Sequence, residues 1–183
     1  MPPSVIIAIP ARLSSTRLPR KMLLAETGRP LVEHTWRAAL GSRRAARAVV
    51  VTDSDEIATA VRGFGGEALM TSPEATSGTA RIVEALPRLG AVDVVVNVQG
   101  DEPELDPAAI DAAVELLGRC PEAGVATLVT RLRRAEDLHD PAAVKAVLTP
   151  WRNAAAATLG AWRAIYFSRA AVPAAKRDSG NSG

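Results

Sequence analysis

Short apolar runs alternate with amphipathic helical segments along most of the chain, and this alternation restricts the folds it can adopt. The first run, Val5 to Ile9, is apolar throughout, which is typical of a strand covered on both faces. Further strands are predicted at Ala48 to Val51, Glu67 to Met70, Val94 to Val98, Val125 to Val129, Val144 to Leu148 and Ala164 to Phe167. Helices are predicted to begin near Pro30, Asp55, Gly78 and Asp106. This order predicts an α/β fold, a mostly parallel or mixed sheet with helices on both faces.

The length and composition fit one folded domain. A chain of 183 residues that is 48% hydrophobic and 23% charged has enough apolar side chains for a core of its own. We expect that domain to cover residues 1–173. Residues 174–183 combine charged residues with Ser, Gly and Asn, which predicts a disordered tail.

Composition also argues against several classes of protein. The 22 basic residues are nearly balanced by 20 acidic ones, and there are few aromatic residues, so no nucleic-acid partner is expected. One cysteine and two histidines make a Cys/His zinc site improbable. Apolar runs are too short for a signal sequence or a membrane span, which predicts a cytoplasmic protein with no membrane partner.

A basic loop follows the first predicted strand. Between Pro10 and Lys21 it carries Arg12, Arg17 and Arg20, with hydroxyl side chains among them. Arginine forks, a lysine point charge and hydroxyl groups together suit a polyanion such as a triphosphate. A solvated surface loop is the alternative. The position decides between them, because ligands of α/β sheets bind where loops follow the strands.

The second candidate segment, Asn97 to Pro103, follows another strongly apolar strand and therefore lies at the same predicted sheet edge. Mg²⁺ prefers one or two carboxylates together with phosphate oxygens, so Asp101 is the predicted metal ligand. Gly100 would let backbone approach a ligand closely. A plain Gly-Asp turn is the alternative, but the basic loop at the same edge favours the metal.

Two further segments each have two interpretations. Asp53 follows the second strand and either holds a ribose and organises the site or caps the next helix. Ser77, Gly78 and Thr79 begin a helix and either make polar contacts with a base or phosphate or only cap that helix.

Two common nucleotide-binding motifs are not found in the sequence. There is no P-loop. Gly63 to Ala68 matches the dinucleotide-binding pattern, but it follows a helix instead of a strand, so we interpret it as a loop that ends the helix.

Several of these segments, taken in order, resemble the CMP-KDO synthetases (3-deoxy-manno-octulosonate cytidylyltransferases, KDO being the sugar acid). The matching blocks are Ile7 to Arg12, Ser15 to Pro19 with Lys21, Thr52-Asp53, Met70 to Pro73, Ser77 to Thr79 with Arg81, Asn97 to Pro103, Asp140-Pro141, Val144 to Val147 and Tyr166 to Arg169. The first loop together with Gln99 to Pro103 is specific. Either block alone also occurs in relatives such as the acylneuraminate cytidylyltransferases.

The resemblance implies a glycosyltransferase-A-like, nucleotide-diphospho-sugar transferase fold, with CTP and KDO as substrates, Mg²⁺ as cofactor and a role in lipopolysaccharide biosynthesis. It assigns catalytic roles to Arg12 and Lys21 at the triphosphate and to Asp101 at the metal. Predicted substrate-binding residues are Ala11, Arg12, Arg17, Lys21, Asp53, Ser77, Gly78, Thr79, Gln99, Gly100 and Arg169, the last at the sugar side.

The sequence departs from the family pattern at several positions. Glu74-Ala75 replaces the usual Asp-His, and Ala80 and Ala142 replace an Asp and an Asn. The family is homodimeric, and its C-terminal part, with sugar-binding residues, a second metal-binding aspartate and dimer contacts, is expected to be missing here. Three alternatives therefore stay open: a CTP-dependent KDO transferase, a nucleotide-binding remnant without turnover, and a related nucleotidyltransferase, either an acylneuraminate cytidylyltransferase or an enzyme acting on a sugar phosphate.

Overall fold

The computed structural model of the protein describes residues 3–14, 18–151 and 153–173. The chain divides into two compact units, Met1–Gly118 and Arg119–Gly183. The predicted tail at residues 174–183 lies outside the described residues. None of the described helices is both long and apolar enough to span a bilayer.

The first unit is built on a four-stranded parallel sheet. Its strands are β1 (Val5–Ala11), β2 (Arg47–Thr52), β3 (Glu67–Met70) and β4 (Val94–Asn97), and their order across the sheet is β3-β2-β1-β4. The predicted parallel α/β sheet is confirmed. The chain moves outward from β1 to β3 and then crosses to the other side of β1, so a topological switch point lies between β1 and β4.

Four helices connect or follow these strands: α1 (Leu31–Ala39), α2 (Asp55–Gly63), α3 (Gly78–Leu89) and α4 (Pro107–Arg119). Each of the first three has one strongly apolar side, and the predicted start of each agrees with the structure to within a residue or two. The glycine-rich segment after α2 ends that helix, as predicted, and Gly65 there has a φ of +86°.

The alternating side chains of β1 divide the core into two layers. Ile7 and Ile9 belong to a buried cluster with Val32 of α1 and Ile57 of α2, whereas Ile6, on the other face, packs with the α3 side. All seven residues of β1 are buried. Helices therefore cover both faces of the sheet, as predicted from the uninterrupted apolar run.

The second unit contains an antiparallel pair, β5 (Lys145–Pro150) and β6 (Trp162–Ser168), with the short helix α5 (Ala154–Thr158) between them. The strand predicted at Val125 to Val129 is wrong: this segment has no strand structure, and Val125 is 84% exposed. An apolar run forms a strand only where a neighbouring strand and a covering layer receive it, and the described residues provide neither for this segment.

Candidate nucleotide-binding site

The loops after β1 and β4 meet at the carboxyl edge of the sheet. Lys21, which begins a single 3-10 turn at Lys21–Leu23, donates from Nζ to Oδ2 of Asp101 at 2.7 Å. Their side chains are 35% and 40% exposed, so both remain accessible to a ligand. The two loops come together as the sequence indicates. The roles of these residues as phosphate and metal ligands stay predictions.

A buried hydrogen bond and close packing hold the loop that carries Asp101. The hydroxyl of Thr35, which is fully buried in α1, donates to the Gly100 carbonyl at 2.9 Å. A Cβ on Gly100 would lie 3.1 Å from the Pro10 carbonyl oxygen and 3.2 Å from the Met22 sulfur. Glycine here therefore permits close packing of the loop against the end of β1. Its predicted approach to a ligand stays untested.

The start of α3 packs against the same end of β1. A Cβ on Gly78 would lie 2.9 Å from Pro10 Cγ and 3.8 Å from the side-chain nitrogen of Gln99. Gln99 is exposed, and that nitrogen donates to the Asn97 side chain at 3.0 Å. Gly78 and Gln99, predicted separately from distant segments, thus lie close together.

Ser77 caps the start of α3, which is one of the two roles predicted for this segment. The Ser77 hydroxyl accepts the backbone N–H of Ala80 at 3.1 Å, so the capping interpretation is confirmed. Thr79, in the first turn, is exposed. Contacts of Ser77 and Thr79 with a base or phosphate stay predictions.

Asp53 is held by a buried arginine. Oδ2 of Asp53 accepts from Arg81 at 2.8 Å, and the same guanidinium donates to the Thr71 hydroxyl at 2.6 Å and to the Ser72 carbonyl at 3.2 Å. The Arg81 side chain is only 4% exposed and that of Asp53 is 17% exposed. Arg81 therefore links the ends of β2 and β3 to α3. The predicted role of Asp53 in substrate binding stays a prediction.

The alternative prediction that Asp53 caps α2 is wrong. Ser54 is the capping residue, and its hydroxyl accepts the N–H of Ile57 at 3.4 Å. The Asp53 carboxylate is instead taken up by Arg81, a charged donor that forms a stronger hydrogen bond than a backbone amide. Arg81 stands in one of the blocks that resemble the family, but no role follows from its position in the sequence. No local signal marks it, because an arginine in an amphipathic helix is usually exposed and the carboxylate that a buried guanidinium requires is distant along the chain.

A cavity of about 640 Å³ opens beside these loops. Residues from the β1 loop and from the segments after β2 and β3 line it: Arg12, Leu13, Ser14, Pro19, Arg20, Asp53, Ser54 and Pro73. Ala11 is buried at the end of β1 immediately before it, and Arg12 is exposed. The cavity has both cationic and anionic walls and is large enough for part of a nucleotide.

Two predicted substrate-binding residues, Arg17 and Arg169, remain. Arg17 lies outside the described residues. Arg169 belongs to the second unit, where its guanidinium donates to the Pro141 carbonyl at 2.9 Å and its own carbonyl accepts from Lys145 at 2.6 Å. Its predicted place at the sugar side stays a prediction.

The donor set fits a magnesium ion that shares its ligands with a nucleotide. Within residues 3–14, 18–151 and 153–173, no three His, Cys, Asp or Glu side chains are close enough to hold a metal by themselves. A half-exposed carboxylate such as Asp101 suits Mg²⁺, which commonly takes one or two carboxylates and completes its shell with phosphate oxygens and water.

Comparison with solved structures places the fold among nucleotidyltransferases. A CMP:2-keto-3-deoxy-manno-octonic acid synthetase, solved in complex with CTP, has a TM-score of 0.81 and 33% identity over 95% of this chain and 67% of its own. A cytidylyltransferase from Leptospira borgpetersenii has a TM-score of 0.54 and 26% identity over 62% of this chain and 48% of its own. The parallel sheet and the loops at its switch point thus define a nucleotide-diphospho-sugar transferase fold.

The family follows from the sequence match. A family model described as cytidylyltransferase matches residues 6–182, so the chain belongs to the cytidylyltransferase family. The 3-deoxy-manno-octulosonate cytidylyltransferase of Chlorobaculum parvum is 54% identical over 111 residues, which are 61% of this chain and 44% of that protein. That of Chlorobium limicola is 55% identical over 108 residues, 59% and 43% respectively. The chain thus spans less than half the length of these relatives.

Proposed function

We propose that this chain carries the nucleotide site of a cytidylyltransferase that transfers CMP from CTP to the anomeric hydroxyl of KDO and releases pyrophosphate. The observation that carries the proposal is the meeting of Lys21 and Asp101 at the switch point, 2.7 Å apart and half-exposed. The names of the relatives support KDO as the acceptor. The CTP complex of the structural neighbour supports CTP as the donor.

The charges at this edge suit in-line attack on a triphosphate. In the proposed reaction the anomeric hydroxyl gives up its proton to solvent and its oxygen forms a bond to the α-phosphorus. The bond from that phosphorus to the bridging oxygen breaks, so that pyrophosphate leaves with the electron pair. Arg12 and Lys21 would hold the phosphate oxygens and offset the charge that develops on the leaving group. Such catalysis depends mainly on positioning and charge stabilisation, and no protein nucleophile is needed.

Asp101 would hold Mg²⁺, which when bound neutralises phosphate charge and orients the phosphate oxygens. The Lys21 ammonium pairs with the Asp101 carboxylate, and Lys21 would hold phosphate oxygens beside that carboxylate. Gly78 and Gln99 would then receive the cytidine.

The proposal extends to the biological setting. The product would be the activated sugar acid used in lipopolysaccharide assembly, made in the cytoplasm. The partners would be small molecules, and nucleic acid is not among them.

A direct test incubates the purified chain with CTP, KDO and Mg²⁺ and follows pyrophosphate release, with Asp101→Asn as the matched control. Release that depends on all three components and is lost in the control is the expected result. Replacing KDO by an acylneuraminate tests the alternative acceptor.

The binding half of the proposal has its own readout. CTP with Mg²⁺ should raise the melting temperature of the chain in a concentration-dependent way, because a ligand that binds only the folded state stabilises it. A rise without pyrophosphate release would support the second candidate, nucleotide binding without turnover. Absence of both would contradict the nucleotide site itself.

A further inference from the structure

Arg20 has an unusual backbone conformation. Its φ of +55° and ψ of 24° place it in the left-handed region, and it is the non-glycine residue of the described chain with positive φ. A side chain with a Cβ is disfavoured there, whereas glycine is not. Strained residues of this kind tend to occur at functional sites, where the side chain serves a purpose that glycine cannot serve.

The conformation directs two neighbouring side chains to different places. Leu23 N–H donates to the Arg20 carbonyl at 2.9 Å, which closes the 3-10 turn and leaves Lys21 against Asp101. The Arg20 guanidinium turns the other way and pairs with Glu56 in the first turn of α2. Arg20 also lines the cavity that Arg12 lines.

The ion pair does not by itself explain the strain. The side chains of Arg20 and Glu56 are 60% and 49% exposed, and exposed pairs of this kind contribute little to stability because water and salt screen them. Glycine at position 20 would form the same turn, because a positive φ is not disfavoured for glycine. What arginine adds is a forked cation at the wall of the cavity.

We propose that Arg20 is a further phosphate-contacting residue of this site, held by Glu56 while the cavity is empty and transferred to the phosphate groups of the bound nucleotide. The inference rests on the proposed function, since the ligand is the triphosphate of CTP. A polyphosphate carries more charge than one carboxylate and offers the paired oxygens that match a guanidinium fork, so it competes with the exposed Glu56 for Arg20.

Substitutions of Arg20 and of Glu56 should change the affinity for CTP in opposite directions, which tests this exchange. Calorimetric titration of the full chain with CTP and with CMP would compare wild type, Arg20→Gly, Glu56→Gln and Arg29→Gly. Arg29 is a matched control, because its side chain is 57% exposed and pairs with Glu33 at 3.8 Å, and it is not among the residues lining the cavity. Thermal melting of each variant reports on folding, and Arg20→Gly should melt no lower than wild type, because glycine removes the strain.

Arg20→Gly should weaken CTP binding about tenfold, the loss expected for one charge-assisted contact, and leave CMP binding nearly unchanged. Glu56→Gln should strengthen CTP binding, because Arg20 no longer has to leave a carboxylate. Arg29→Gly should match wild type for both ligands. Unchanged CTP binding in Arg20→Gly would overturn the proposal, as would an equal loss of CTP and CMP binding or a weakening by Glu56→Gln.

Inorganic tripolyphosphate separates this inference from the proposed function. If wild type fails to bind CTP but binds tripolyphosphate, and Arg20→Gly loses that binding, the phosphate role of Arg20 stands and the CTP proposal fails. If wild type binds neither, both proposals fail.

Discussion

Apolar residues are buried in strand β1 of the first unit of the chain and largely exposed in strand β6 of the second. In the first, β1 lies between two parallel strands under helices on both faces, and all seven of its residues are buried. In the second, β5 is the one strand among the described residues that pairs with β6, and Ile165 and Phe167 are 66% and 49% exposed. Both strands are rich in apolar residues. The difference comes from the surroundings, because two paired strands cannot bury both of their faces.

One ion pair from each unit shows the same contrast. Arg81 and Asp53 in the first unit are almost withdrawn from water, whereas Arg134 and Asp137 in the second have side chains that are 72% and 22% exposed. Side chains in the first unit hold one arrangement, in which the predicted nucleotide-binding residues other than Arg17 and Arg169 are placed. The comparison predicts that substitutions of one chemical type will have large effects in the first unit and small effects in the second.

The largest effect is expected for Arg81→Ala. Removing the guanidinium leaves the Asp53 carboxylate and the Thr71 hydroxyl without their donor, and breaking a buried pair costs about 4 kcal/mol of unfolding free energy. Chemical denaturation followed by circular dichroism measures the change. Arg134→Ala is the control and should leave the midpoint unchanged. Comparable losses in both variants would break the comparison.

A core substitution gives the next largest effect. Ile7→Ala, at a residue that is 1% exposed in β1, should lower the unfolding free energy by about 3 kcal/mol through lost burial and a residual cavity. Ile165→Ala removes the same atoms from β6 and should change it by less than about 0.5 kcal/mol. A large loss in Ile165→Ala would mean that the exposed face of β6 is covered in solution.

Lys21→Ala tests whether the first unit binds the outer phosphates. Losing one charge-assisted contact should weaken CTP binding about tenfold while CMP binding changes little, because CMP has no outer phosphates. Isothermal titration with both nucleotides measures the two affinities. Equal weakening for both would show that Lys21 does not contact the β- or γ-phosphate.

The smallest effect is expected for Arg169→Ala in the second unit. If Arg169 borders only the sugar, CTP affinity should stay within about twofold of wild type, since no phosphate contact is lost. The same titration applies. A tenfold loss would instead place Arg169 at the nucleotide and remove the distinction between the units in ligand binding.

Much of the first unit was predictable because its signals are local. A continuous apolar run specifies a strand buried on both faces, and a serine before an amphipathic segment specifies a helix start, as Ser77 does for α3. The meeting of Lys21 and Asp101 was also predictable, because parallel strands end at the same edge of a sheet.

The remainder depended on contacts between distant residues. The partner of Asp53 is 28 positions away along the chain, and no local pattern distinguishes an aspartate that caps a helix from one that binds a buried arginine. The strand predicted at Val125 to Val129 failed for the same reason. Its apolar side chains suit a sheet, but no pattern within the segment states whether a neighbouring strand will receive it.

The central position of β1 has a consequence for how the chain acquires its structure. Along the chain β1 precedes the other three strands of its sheet, and Val5 to Ala8 pair with Val94 to Asn97. One edge of β1 therefore stays unpaired until the residues of β4 have been synthesised, while the hydrogen bonds to β2 form across a shorter loop. Closing the long loop is entropically costly, so we expect the addition of β4 to limit the folding rate and the exposed edge of β1 to be a site of misassociation during synthesis.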